Sequence, residues 1–350
     1  MVEFKLKDFF DTKTTWRKHL MMKEKAKKLL DNKAKTLPIL SFPVTSLLGI
    51  TVEELISSSK TQALGMKTMA ERCNMGAVLN MMDLSVEAEC FGAQIRFERD
   101  EVPTVAKGII DDVEDAEDIV VPSVNTARAP IYVEGVRLAK EAIGDLPVFC
   151  GALGPYSLAG RLFDMSELMM ECYDSPDEVK ILISKATEFI KSYILAYKAA
   201  GADGVILAEP AAGLLSPALA EEFSAPFVKE IIDAVSDDDF IFCYHNCGGA
   251  VVDMADSIAT LGADIYHFGN AIELSKIIGK MPSDSIVMGN LDPLMFRDST
   301  PERIRAELDR IYSECSSYDN FMLSSGCDVP HTAKWENIDA YFEKVKELYA

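Results

Sequence analysis

The sequence predicts an α/β protein folded as a single (β/α)8 barrel of the TIM type over residues 1–350, with an N-terminal helical extension over 1–36. Short apolar runs alternate with long amphipathic stretches along most of the chain, the pattern of strands each followed by a helix. Eight such runs can be read, the number that closes a parallel barrel. No G-x-G-x-x-G follows a strand and no G-x-x-x-x-G-K-[ST] occurs, so a doubly wound open sheet lacks its phosphate-binding turns.

The elements follow in order. Residues 14–35 are helix-like and locally basic (Lys18, Lys23, Lys25, Lys27, Lys28, Lys33, Lys35), which reads as a solvated surface helix, with a docking face for an acidic partner as the alternative. The strand candidates are Ile39–Val44, Ala77–Met82, Val148–Leu153, Gly204–Ala208, Phe240–Cys247, Ile265–Phe268, Ile286–Met288 and Phe321–Ser324. Ser175-Pro176-Asp177-Glu178 opens a helix by a capping box with proline in the first turn, and Thr300-Pro301-Glu302 opens another in the same way. The interval between Met82 and Val148 is too long for a simple helix. Its acidic stretch Asp111–Asp118 is expected to cover one barrel mouth. No Pro/Ser-rich linker or internal repeat divides the chain.

Composition excludes several function classes. A content of 49% hydrophobic and 26% charged residues is that of a soluble globular protein. The 56 acidic against 35 basic residues give a formal charge of −21, a field that repels nucleic acid and anionic membrane surfaces. No apolar run approaches the ~20 residues of a membrane span, and Met1-Val2-Glu3-Phe4-Lys5 lacks the apolar core of a signal peptide. Several of the eight cysteines, Cys150 and Cys243 among them, lie inside apolar runs where a free thiol acts as a small hydrophobe, which points to a reducing cytoplasm.

In a barrel, functional groups gather at the carboxyl ends of the strands. Those positions hold Asp83, Tyr156, Glu209, His245, Cys247, Asn290, Asp292 and Cys327. His245 and Cys247 are two apart, so in a strand their side chains share a face. Imidazole and thiolate are both good zinc ligands, and Cys327, closing another apolar run on Gly326, adds a third. Three protein ligands leave one tetrahedral position open, the arrangement of a catalytic zinc rather than a structural one. On its own an H-x-C pair is more often an ordinary pair of core residues. Cys243 shares the face of His245 one layer deeper and reads as core, and His267 reads as a packed barrel histidine. His331 after Pro330 reads as a loop residue, with a supporting hydrogen bond to the site as the alternative.

Gly289-Asn290-Leu291-Asp292-Pro293 resembles the G-N-L-D-P segment of the uroporphyrinogen decarboxylase superfamily. Asp83, with the D-x-x-x-x-x-E-x-x-G pattern ending at Gly92, is similar to another of its motifs, and Leu207-Ala208-Glu209-Pro210 with Leu215-Ser216-Pro217 resembles its fourth-strand region. The resemblance covers most of residues 40–350. His245-x-Cys247 with Gly326-Cys327 is similar to the zinc ligands of that superfamily's methylcobalamin:coenzyme M methyltransferases and their relatives. True decarboxylases need no metal and carry an Arg-rich N-terminal motif of the R-Q-A-G-R-Y type, which is missing here, where Arg17 stands alone.

The resemblance implies zinc held by His245, Cys247 and Cys327, and methyl transfer from a methylated corrinoid (methylcobalamin or a methyl-corrinoid protein) to a small thiol such as coenzyme M or homocysteine. A thiol on the metal loses its proton near neutral pH because the cation stabilises the sulfur anion. Glu209 is read as a proton acceptor, a ligand-orienting group or a temporary fourth zinc ligand, with a capping role as the alternative. Asp83 is read as a hydrogen-bond partner for corrin or substrate, Tyr156 and Asn290 as lining or orienting groups for the cofactor, and Asp292 as a helix N-cap. Three other readings compete: the reverse half-reaction from a methoxy or methylthio compound to a cob(I)alamin protein, uroporphyrinogen decarboxylation, and a non-catalytic zinc or corrinoid carrier. No D-x-H-x-x-G segment is present to ligate cobalt, so the corrinoid must arrive free or on a separate protein.

Overall fold

The computed structural model describes residues 23–31 and 36–350. Its centre is a parallel sheet of seven strands in which each crossover carries helices, running β1 (Val78–Leu79), β4 (Val148–Leu153), β5 (Gly204–Ala208), β6 (Ile241–Asn246), β7 (Ile265–Phe268), β8 (Ile286–Leu291) and β9 (Phe321–Ser325). β2 (Gln94–Glu98) and β3 (Glu101–Lys107) form a separate antiparallel hairpin. The sheet curls into the TIM-like α/β barrel expected from the sequence.

The first strand candidate is corrected. Ile39–Val44 forms no strand, and the gap between β9 and β1 is closed by an extended segment that starts earlier. Thr36 makes a parallel bridge with Leu323, while its carbonyl accepts from the Gly76 N–H at 2.8 Å, so one residue joins both edges. Beyond it the pairing passes to serine hydroxyls: Ser324 Oγ donates to the Leu37 carbonyl at 2.8 Å, and Ser325 Oγ accepts from the Ile39 N–H at 2.9 Å. Prolines explain the difference. Pro38 has no N–H for a ladder, and Pro43 is already helical (φ −57°), starting the turn Val44–Leu48.

The barrel interior is filled by side chains from alternate strand positions, including Leu37, Ile39, Leu79, Phe149, Ile206, Ile241, Cys243, Ile265, Met288 and Met322. The basic segment at the start belongs to this core. In α1 (Glu24–Asp31), Ala26 and Leu29 are buried in the same cluster. Lys23 donates to the Phe240 carbonyl at 3.0 Å and pairs with Asp264 at 2.9 Å, and Lys25 donates to the Asp239 carbonyl at 2.6 Å. α1 therefore plugs the amino end of the strands instead of forming a solvated surface helix. The remainder of the expected extension over 1–36 and of the helix over 14–35, Arg17 included, lies outside the described residues.

Outside the sheet, α2 (Ser59–Arg72) packs on α3 (Ala129–Ile143), and α4 (Pro155–Leu162) lies under the long α5 (Pro176–Ala199). α6 (Ala225–Val235), α7 (Pro301–Cys315) and α8 (Trp335–Leu348) complete the main outer helices. α5 and α7 begin at the predicted prolines, yet neither Ser175 nor Thr300 makes a side-chain cap bond to its helix. Ser175 also ends the preceding helix, where its N–H donates to the Glu171 carbonyl, and its ψ of 58° departs from the extended backbone an N-cap requires. The acidic stretch is corrected too: Val113 and Ala116 are buried on the outer face, packed against α5. Over the mouth stands the hairpin instead.

Candidate metal centre

β6 delivers His245 as its penultimate residue, and the chain turns at once through Cys247 and Gly248. Asn246 makes this turn: its side-chain oxygen accepts from the Gly248 N–H at 2.9 Å and its amide donates to the Tyr244 hydroxyl at 3.1 Å. β9 delivers Cys327 one residue beyond Gly326. A Cβ at Gly269, after β7, would lie 2.5 Å from the Cys247 Cβ, so glycine there allows Cys247 to sit against the next strand end.

The His245, Cys247 and Cys327 donor atoms all lie within 4.8 Å of one another, with His245 Nε2 3.6 Å from Cys327 Sγ. Bonds of about 2.0–2.3 Å in a tetrahedron place ligand atoms roughly 3.3–3.8 Å apart, so this spacing suits zinc. The imidazole is oriented to ligate through Nε2, because His245 Nδ1 faces the His267 carbonyl at 3.3 Å and a proton there leaves Nε2 a free lone pair. The thiols are poised as well. A hydrogen bond from Cys327 pulls the Cys247 thiol far below its ordinary value, while Cys327 is pushed up by that same bond and by burial. Two sulfurs and a neutral ring nitrogen form a soft set that favours zinc over magnesium or calcium.

These donors face a cavity of about 230 Å³ at the carboxyl end of the barrel, roofed by Val102, Pro103 and Thr104 of the hairpin. Arg161 of α4 and Asp328 share it. The Asp328 carboxyl is pushed well above its ordinary value by burial, and its Oδ1 has no hydrogen-bond partner.

Comparison with known proteins decides the family. The uroporphyrinogen decarboxylase (URO-D) family model matches residues 44–348. The chain belongs to that family. Similar URO-D relatives include the methylcobamide:CoM methyltransferase MtbA of Methanosarcina mazei, 26% identical over 77% of this chain and 79% of the relative. A methylated-thiol–coenzyme M methyltransferase of the same organism is 25% identical over 79% of this chain and 74% of the relative. A uroporphyrinogen decarboxylase of Pseudomonas syringae pv. syringae is 24% identical over 80% and 81%. Among solved structures, a methyltransferase from Methanosarcina mazei superposes with a TM-score of 0.82 at 22% identity, covering 95% of this chain and all of that one. The relatives of similar identity within the URO-D family include both methyltransferases and decarboxylases.

Other residues that the sequence nominated in this URO-D chain have different surroundings. Glu209 is fully buried, and its carboxylate accepts from the Tyr156 N–H at 3.1 Å, the Ser157 N–H at 2.7 Å and the Ser157 hydroxyl at 2.5 Å. It caps the first turn of α4, where the helix dipole favours an anion, although burial pushes its carboxyl up to about 7. Tyr156 meets Glu209 through this backbone N–H; its ring is buried and its hydroxyl lies 3.8 Å from Cys172 Sγ. Asp83 is spent on neighbours, accepting from Arg128 (2.5 Å), the Tyr132 hydroxyl (2.7 Å) and Ser85. Arg128 in turn pairs with Glu89 at 2.6 Å and lies 4.9 Å from the Phe97 ring centroid, tying the hairpin to the barrel.

Asn290 donates to the Gly269 and Ile272 carbonyls at 3.0 and 2.8 Å and lines a separate outer crevice with Asp292. The Asp292 carboxylate accepts from the Leu294 N–H at 2.9 Å, holding the turn before a short helix. His267 is fully buried beside His245, ring centroids 4.5 Å apart, with Nε2 2.7 Å from the Ser325 carbonyl. Cys243 is core and His331 is half-buried in its turn. Of the ionisable residues lining the cavity, sequence reasoning missed Asp328, next to Cys327, and Arg161. Arg161 stands as the one cation in the otherwise apolar helix PYSLAGRL, and that contrast was the available signal. No helix among the described residues is long and apolar enough to cross a membrane.

Proposed function

We propose that the protein is a zinc-dependent methyltransferase that passes a methyl group from a methylated corrinoid, free or on a partner protein, to a small thiol such as coenzyme M or homocysteine. The observation that carries this reading is the convergence of one imidazole and two thiols, from strands far apart in sequence, on one cavity at the barrel mouth. A metal-free decarboxylation has no use for that set.

His245, Cys247 and Cys327 would hold the ion, and Cys327 would release its proton as the metal binds. Bound zinc would supply a positive charge that favours the deprotonated form of a substrate thiol, while the corrinoid supplies the activated methyl group. The chain's own part is positional. The His267 carbonyl fixes the His245 ring, the Asn246 turn sets Cys247, and the hairpin residues Val102 and Pro103 roof the cavity.

Adding the acceptor thiol to zinc-loaded protein should release about one proton per site and convert the zinc shell from S₂N plus oxygen to S₃N, read by zinc-edge X-ray absorption. Methylcobalamin should then lose its methyl group to that thiol. A thiol that never enters the shell overturns the proposal. Demethylation of methoxy or methylthio compounds by cob(I)alamin, without the forward reaction, would assign the opposite half-reaction to the same residues.

A further inference from the structure

Arg161 leaves the inner face of α4 with one hydrogen bond, from Nη1 to the Leu84 carbonyl at 3.1 Å. Among the described residues no carboxylate lies within salt-bridge distance of it. The acids whose fields reach it, Glu87 and Asp83, are otherwise engaged: Glu87 accepts from the Leu153 N–H, and Asp83 is paired with Arg128. A guanidinium offers five donors, so most of this group's hydrogen-bonding capacity faces the cavity it shares with His245, Cys247 and Cys327. Desolvating a cation without an anion is expensive. Arginine remains charged in that setting, and its planar fork matches two oxygens of a carboxylate or sulfonate.

We propose that Arg161 binds an anionic group on the small substrate whose other end meets the metal, and so selects carboxylated or sulfonated substrates over neutral ones. The reacting end of that substrate rests on the methyl-transfer reading above; the anion site does not, and it serves either direction of transfer. A cavity of about 230 Å³ suits a short molecule carrying the two functions close together.

Three thiols test this by calorimetry on zinc-loaded protein: 2-mercaptoethanesulfonate, 3-mercaptopropionate and neutral 2-mercaptoethanol. Either anionic thiol should bind about 10- to 100-fold more tightly than the neutral one, the range of a charge-assisted pair, and the tighter of the two identifies the anion. Arg161→Met should remove that preference while leaving mercaptoethanol affinity and zinc content unchanged. Arg161→Lys, which keeps the charge without the fork, should keep part of it.

Equal affinities in the unmodified protein, or a preference that survives in Arg161→Met, would overturn the proposal. Should Arg161→Met fail to fold, the comparison in the unmodified protein and Arg161→Lys still decide. If no thiol enters the zinc shell, the methyl-transfer reading fails. Ethanesulfonate and propionate, followed by ligand-observed NMR on metal-stripped protein, then decide the anion site: binding weakened in Arg161→Lys and lost in Arg161→Met supports it, and no Arg161-dependent binding sinks it.

Discussion

The two ends of the barrel treat the same strands in opposite ways. At the amino end α1 closes the floor. Ala26 and Leu29 extend the apolar interior, and Lys23 and Lys25 neutralise or hydrogen-bond the groups that precede β6 and β7. At the carboxyl end, polar groups face a cavity: the imidazole and two thiols of the candidate centre, Arg161 without an ion-pair partner, and Asp328 with an unpartnered buried oxygen. Stability is concentrated at one end, and chemistry at the other uses groups whose interactions are left unfinished. That division is what a barrel enzyme needs, because a site that binds its ligands must be incomplete without them.

The sharpest way to break this contrast is to remove the metal donors. Cys247→Ser combined with Cys327→Ser should take zinc from about one equivalent per chain to none and abolish methyl transfer, while urea unfolding stays close to that of metal-stripped unmodified protein. A collapse of the fold would show that the mouth is structural after all. At the floor the opposite holds: Leu29→Ala, in a fully packed position, should cost about 2–4 kcal/mol by denaturant unfolding and leave zinc stoichiometry intact. Loss of zinc in that variant would show that the ends are coupled.

A smaller effect sharpens the comparison through pH. Burial pushes the Glu87 carboxyl from 4.5 up to about 7, so between those values the folded protein holds a proton that the unfolded chain has released. Stability contributed by this group is therefore full at low pH and declines as pH rises through that window. Glu209, also pushed up to about 7, declines in the same window, so the test is the difference: between about pH 5 and 7 the unmodified protein should lose about 2 kcal/mol more than Glu87→Gln. Unfolding curves across that range measure it.

The barrel was legible because its strands are apolar runs bounded by amphipathic helices, a pattern that survives without tertiary knowledge. So was the candidate centre, because His245, Cys247 and Cys327 each stand where such a run ends. The first strand was misplaced because Thr36 pairs with both edges, and the pairing beyond it depends on Ser324 and Ser325, hundreds of residues away in sequence. α1 looked like a surface helix because its lysines were read without the carbonyls and carboxylates they meet. For Glu209 the sequence left a cap and a site role both open, and for Asp83 a hydrogen bond to the ligand, because it cannot show that Ser157 and Arg128 bond these carboxylates.

By itself the sequence determined the alternation of strand and helix and the identity of three soft donors at strand ends, since both follow from local residue type and spacing. Only the tertiary structure decided which polar groups are satisfied. A carboxylate or guanidinium becomes a cap, a clamp or a ligand-binding group according to whether partners lie within about 3 Å, and those partners come from distant parts of the chain.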